Sequence, residues 1–256
     1  YRALVAETKA AIAAAQTDGL TLRIRALAWV QGESDANSAS NTTNYQTNLT
    51  NFIADVRMTY ASYNPDLPFI IGRLSSGQTA INAARLATIR AGQDAVESAD
   101  PRTGIIDTDD FDMKGDNLHF DGDGQQSMGT AFAREAIYYD WMLDQFTAVQ
   151  IDAGEGEPDA DADGDGVVNR LEFDSDSSPT DASSRFDVWL SPPTDTFVVL
   201  NYNSSSKRRY SVERYNPTTK MWVEILPSET GDAGSTGRTI TPTVSPEILR
   251  VRSDLP

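Results

Sequence analysis

Thr21-Leu-Arg-Ile-Arg-Ala-Leu-Ala-Trp-Val30 runs straight into Gln31-Gly-Glu-Ser-Asp35, an apolar stretch followed by a polar, glycine-containing turn. The first part reads as a strand and the second as the loop at its carboxyl end. On the N-terminal side, Leu4, Thr8 and Ile12 recur at helical spacing and point to a helix that stops near Asp18-Gly19. On the C-terminal side, Asn37 to Asn44 reads as a loop. Tyr45, Leu49, Phe52, Val56 and Tyr60 then mark a second helix. Leu67–Ile71 is a short apolar strand, 81–99 is helical, and Gly104–Asp107 is a third strand. Asp123 with Gln126 three residues on suggests the capped start of a last helix, reaching Phe146. Strands alternating with helices imply a mostly parallel sheet covered on both faces, with working residues on loops at the carboxyl ends of the strands.

The single histidine, His119, lies on such a loop, three residues after Asp116. A carboxylate at that spacing can hold one ring nitrogen and fix the tautomer, leaving the other nitrogen to take a proton. The 38 acidic against 21 basic residues give a net charge of −17, which argues against nucleic acid or an anionic membrane surface as partner. No apolar run reaches the ~20 residues of a membrane helix. Cysteine is absent, which excludes disulfides, thiolate metal sites and a cysteine nucleophile.

Between Ile151 and Ser184 eleven acidic residues face one arginine, so the chain divides into 1–148, an acidic linker 149–184 and a β-rich module 185–256. Inside the linker, Asp161-Ala-Asp-Gly-Asp-Gly-Val-Val-Asn-Arg-Leu-Glu172 has the spacing of a twelve-residue calcium loop. Asp161, Asp163 and Asp165 supply hard oxygens, and Gly166 permits the sharp turn. Val167 offers its carbonyl, Asn169 sits at the often water-mediated position, and Glu172 can close the shell. Gly154 to Pro158 cannot form a preceding helix, so the loop resembles those of dockerin and thrombospondin type 3 repeats, and its expected role is to stiffen the linker. Beyond it, Phe197–Asn201, Tyr210–Arg214, Met221–Leu226 and Ile248–Arg252 read as strands of a small all-β module.

Trp29-Val-Gln-Gly-Glu-Ser-Asp35, Ile89-Arg-Ala-Gly-Gln93 and Asp116-Asn-Leu-His-Phe-Asp-Gly-Asp-Gly-Gln125 together resemble the sialate O-acetylesterase and carbohydrate esterase family 6 branch of the SGNH hydrolases, over residues 1 to about 145. The resemblance implies a three-layer α/β/α, flavodoxin-like sandwich. It also implies a serine ester hydrolase that removes acetyl groups from glycans, with no catalytic cofactor. His119 would then be the general base, Asp116 its orienter and Gln31 a donor near the developing oxyanion, with Gly32 and Glu33 shaping that wall of the site. No Gly-x-Ser-Asn-type block is found, so the expectation is a chain that lacks the family's first strand and nucleophile and is inactive as it stands. Its longer parent would be active.

Gly32-Glu-Ser34-Asp-Ala36 also mimics a nucleophile elbow, but an elbow serine enters a helix at once, and Asp and His in that fold come from separate loops. Ser34 therefore reads as a turn or capping residue. The acidic calcium loop and β tail are similar to C-terminal modules of secreted bacterial proteins, so the expected setting is secreted or at the cell surface, with an acetylated carbohydrate as partner. The rival class is a non-catalytic, calcium-stabilised surface protein that binds glycan through Trp189, Tyr202, Tyr210 or Trp222.

Overall fold

The computed structural model describes residues 2–192, 197–241 and 248–255. It divides into two compact units, Tyr1–Leu143 and Asp144–Pro256. The first holds α1 (Arg2–Thr17), β1 (Leu27–Val30), a 3-10 turn (Asp35–Asn37), α2 (Ala39–Tyr60), β2 (Phe69–Gly72), α3 (Ala83–Glu97), β3 (Thr103–Ile106) and most of α4 (Gly122–Gln145). The three strands form a parallel sheet in the order β1-β2-β3, with Leu27, Phe69 and Thr103 in register.

Strand alternation explains what covers the sheet. Phe69 and Ile71 join Tyr45, Leu49, Ile53 and Val56 of α2 and Leu86, Ile89 and Val96 of α3 in one core. Ile70 and Ile106 meet Phe120, Met128 and Phe132 in another, so α4 takes the opposite side. β2 is buried along its whole length, as a strand covered on both faces must be. All three strands end at the same edge, so the loops after β1, β2 and β3 gather there.

Three local readings change. Only Leu27–Val30 of the expected 21–30 strand is paired, because pairing starts at Leu27 N, which donates to the Pro68 carbonyl at 2.9 Å, and proline has no N–H to extend the ladder. Arg23 and Arg25 instead pair with Asp140 at 3.1 and 2.6 Å. The 39–44 segment is helix rather than loop. Ser38 caps it by accepting from Asn41 N, and the Thr42 and Thr43 hydroxyls donate to carbonyls four residues back, so polar side chains support the first turn. At α4 the capping side chain is Asp121, which accepts from Gly124 N at 2.9 Å, and Asp123 falls inside the first turn.

The second unit contains α5 (Ala148–Asp152), α6 (Asn169–Ser175) and strands β4 (Val188–Leu190), β5 (Val198–Ser204), β6 (Arg209–Asn216), β7 (Met221–Thr230), β8 (Gly234–Ile240) and β9 (Leu249–Asp254). They make two antiparallel sheets, β4-β5-β8 and β7-β6-β9. Leu200 and Ile240 of one meet Val212, Leu226 and Val251 of the other in a shared core. The 149–184 segment lies within this unit. Tyr202 and Tyr210 are buried, with ring centroids 5.2 Å apart, and so are core residues and not a ligand platform. Trp222 lies 4.3 Å beneath the Arg250 guanidinium, while Trp189 is 42% exposed on β4.

Candidate functional site

The loop after β3 folds back on itself between Met113 and Phe120, which form an isolated antiparallel bridge, and Lys114 N donates to the His119 carbonyl at 2.8 Å. Asn117 turns the chain at φ 54°, a conformation that asparagine tolerates well. Within this turn Asp116 Oδ1 accepts from the N–H groups of Leu118 and His119, each at 3.0 Å. Its second oxygen lies 2.8 Å from His119 Nδ1. The His119 N–H, then the imidazole, then the Leu118 N–H hold the Asp116 carboxyl well below the usual carboxylate range. An ionised Asp116 on Nδ1 selects the tautomer in which Nε2 is the acceptor. His119 Nε2 has no hydrogen-bond partner among the described residues, and the side chain is 64% exposed.

The loop after β1 is built from below. Gly32 is buried at φ 144°, and an added Cβ would stand 3.0 Å from both Ile89 Cγ2 and Leu74 Cδ1, so only glycine fits without displacement. The Gln31 carbonyl accepts from Tyr45 OH at 2.8 Å and Gln93 Nε2 at 3.3 Å. Gln93, fully buried, also takes the Leu74 N–H at 3.0 Å, which ties the loops after β1 and β2 together. The Gln31 side-chain amide is occupied by Asp35. Ser34 is exposed, at φ −69° and ψ −33°, with no side-chain cap bond, an unstrained turn geometry. A cleft of about 340 Å³ opens beside this loop, lined by Trp29, Gln31, Asp35, Tyr45, Asn48, Leu49 and Phe52.

Gln78, on the loop after β2, joins the two blocks. Its Nε2 donates to the Leu118 carbonyl at 2.8 Å and to Glu33 Oε1 at 3.4 Å, while its Oε1 accepts from Ser75 N at 3.0 Å. Glu33 and the Asp116–His119 turn thus share one buried amide. Sequence reading missed Gln78; its only signal is its place on a loop after a strand. Arg90 supports the same loop, pairing with Asp109 at 2.7 Å and donating to the Leu74 carbonyl, while Asp109 accepts from Ser76 N at 2.7 Å.

In the second unit, Asp161, Asp163 and Asp165 bring carboxylate oxygens within 4.8 Å of one another. Asp161 accepts from Gly164 N and Gly166 N, each at 2.9 Å, Asp163 from Asp165 N, and Asp165 from Val167 N at 2.8 Å. Gly166 adopts φ 93°. Asn169 and Glu172 are buried on α6. Burial, then the charges of Asp163 and Asp165, push Glu172 up to about 7. These residues could hold a cation.

A solved structure of a protein from Arabidopsis thaliana is similar at 23% identity, covering 54% of this chain and 51% of that one, with a TM-score of 0.43. This chain therefore spans about half the length of that one. No curated protein matches the sequence. The profile of one family, described as carbohydrate esterase, sialic acid-specific acetylesterase, matches residues 1–138 and so covers the parallel sheet, both loops and the Asp116–His119 pair. By that match over more than half its length, the chain belongs to the sialic acid-specific acetylesterase family of carbohydrate esterases.

Proposed function

We propose that the first unit is the acid–base part of a carbohydrate O-acetylesterase site. The observation that carries this reading is the Asp116–His119 contact of 2.8 Å, with Nε2 left open on a loop that Gln78 binds to Glu33. In this reading a serine hydroxyl attacks the acetyl carbonyl and His119 Nε2 takes its proton. As the tetrahedral intermediate collapses, the carbon–oxygen bond to the sugar breaks and His119 protonates the departing alkoxide. Water then hydrolyses the acetyl-serine by the same proton path. Asp116 holds the imidazole and stabilises its charged form. Gln31 stands on the loop that faces the developing oxyanion, where one donor contributes about 3 kcal/mol. To act there, its amide must leave Asp35. Glu33 and Gly32 are positioning residues.

The described residues place no serine hydroxyl on Nε2. The family's pattern puts the nucleophile in a Gly-x-Ser-Asn-type block after a strand. The outer edge of β1 is unpaired among the described residues, with Ala28 exposed and Val30 41% exposed, which suits a further strand there. The proposed substrate is an acetylated glycan, and the proposed setting is secreted or cell-surface.

The test is acetyl release from O-acetylated sialic acid and acetylated xylan. The 256-residue chain is expected to be silent. The product of the complete coding sequence is expected to be active, and its His119→Ala variant to lose about 10²–10⁴-fold in kcat. Hydrolysis by the 256-residue chain that disappears in Ser34→Ala would overturn the assignment of the nucleophile, and an unaffected His119→Ala would overturn the site.

A further inference from the structure

Four oxygens of the acidic loop are buried without a hydrogen-bond partner: Asp163 Oδ2, Asp165 Oδ2, Asn169 Oδ1 and Glu172 Oε2. Asn169 is 0% and Glu172 1% exposed. The Asn169 amide donor, by contrast, is spent. Asn169 Nδ2 donates to the Glu155 and Glu157 carbonyls at 2.7 and 2.8 Å, and this fixes its amide with Oδ1 turned away from them. Asp163 and Asp165 each use one oxygen on a backbone N–H and leave the other unpaired. A buried carboxylate oxygen with no donor is strongly unfavourable, and so is a buried amide oxygen. Carboxylate oxygens within 4.8 Å of one another, with four buried acceptors of the same loop left unpaired, are what a hard cation satisfies. With Asp161 and the Val167 carbonyl they supply six oxygen positions, within the range that calcium takes in flexible geometry, whereas magnesium demands a near-ideal octahedron.

The same short helix that carries Asn169 and Glu172 is anchored at its other end by the β strands. Arg208, 6% exposed, donates through Nε and Nη2 to the Phe173 carbonyl at 3.2 and 2.5 Å and through Nε to the Asp174 carbonyl at 3.2 Å. Its guanidinium lies 5.2 Å from the centre of the buried Phe173 ring. From β9, Ser253 Oγ donates to the Asp174 carbonyl at 2.6 Å, and Ser205 Oγ donates to Asp176 Oδ2 at 2.5 Å. At seven residues α6 is too short to persist alone, so it is ordered by what holds its two ends.

We propose that the loop Asp161–Glu172 binds one calcium ion and that binding is coupled, through α6 and Arg208, to the folding of the β strands that follow. The loop is then a structural part of the β unit and not a stiffened linker. A ligand that binds only the folded form raises the folded-to-unfolded ratio by a factor of 1 + [L]/Kd, about 100-fold at calcium 100 times its Kd. Ordering α6 places the carbonyls that Arg208 needs, and Arg208 in turn holds Glu172 at the ion.

Calorimetric titration of the full chain with calcium chloride, then with magnesium chloride, reads binding. Hydrogen exchange with and without calcium reads coupling, with α2 and α3 of the first unit as internal reference. The expected result is one calcium site, weaker for magnesium, with slowed exchange in α6, β5, β6 and β9 and none in α2 or α3. Glu172→Gln is expected to weaken calcium at least 10-fold. Arg208→Lys touches no ligand, yet is expected to reduce the protection that calcium confers on β6 and β9. No binding heat and no exchange change up to about 10 mM calcium, beyond the range of weak extracellular modules, would overturn the site. Binding heat with unchanged exchange in β5, β6 and β9 would overturn the coupling. Both readings use the unmutated chain, so a variant that fails to fold does not decide the matter.

Discussion

Asp116 serves three donors within a turn of four residues, and this makes it the organiser of its own loop as well as the partner of His119. Its folded value lies below its unfolded one. Its contribution is therefore present at neutral pH, where it is ionised in both states, and is lost as pH falls through the depressed value. NMR titration of the Asp116 side-chain carbon is expected to show a midpoint below the ordinary carboxylate range. Asp116→Asn is expected to weaken the turn without unfolding the unit, seen as faster exchange of the Leu118 and His119 amides. At Gly32 the constraint is steric. A Gly32→Ala variant must place a Cβ 3.0 Å from Leu74 and Ile89 at a φ that L-residues avoid, and is expected to lose about 1–3 kcal/mol in a urea melt.

Among the elements, α2 ties down the sheet through one arginine. Its Arg57 donates to the Leu67 carbonyl at 3.0 Å and the Arg102 carbonyl at 2.9 Å and pairs with Asp100, so it fastens the amino ends of β2 and β3. Burial raises the Asp100 carboxyl, but the Arg57 hydrogen bond and charge outweigh it and the net shift is downward. By the same sign argument, Asp100 stabilises the first unit above its unfolded value and ceases to do so as pH falls through its lower folded one. Arg57→Ala leaves the buried Leu67 carbonyl without its side-chain donor and Asp100 without its charge partner. It is expected to cost about 2–4 kcal/mol and to flatten the acid limb of the stability profile, measured by urea melts across pH 2 to 6. At the start of α4, Gly124 meets the Asp112 carbonyl so closely that a Cβ would fall 2.1 Å from it, so Gly124→Ala must displace the helix start. It is expected to lower the melting temperature more than Gly129→Ala, which meets open space.

Across the whole molecule, 38 acidic residues against 21 basic ones give the folded chain a self-repulsion that salt screens, with a Debye length of about 10 Å at 0.1 M. Thermal unfolding is therefore expected to shift upward between about 10 and 150 mM sodium chloride even without calcium. A shift absent in sodium chloride and present only with a divalent cation would place the whole electrostatic strain in the Asp161–Glu172 loop. No helix is long and apolar enough to cross a membrane among the described residues.

What could be read along the chain was what is local in it. The 3.6-residue recurrence of Tyr45, Leu49, Phe52 and Val56 marks α2, and the three-residue step from Asp116 to His119 spans one turn. The regular oxygens from Asp161 to Glu172 also lie within a single loop. Such patterns repeat over distances at which backbone geometry alone sets which side chains meet. The start of β1 was less legible because Pro68 meets it from another segment. The start of α2 was less legible because its local cap, Ser38 on Asn41 N, opens a run of small polar residues with no apolar period. β8 was missed because Gly234 to Ile240 has little apolar alternation and is a strand only by pairing with β5. Gln78 is an ordinary loop glutamine until parallel pairing of β1, β2 and β3 brings Glu33 and Leu118, 45 and 40 residues away, to its one amide. Arg208 likewise caps α6 from 35 residues away. By itself, the sequence determined the chemical inventory and the local turns that pair Asp116 with His119 and ring the acidic loop with oxygen. Only the tertiary structure decided which distant polar groups became buried, which were satisfied and which were left without a partner, because burial depends on contacts that no local spacing encodes.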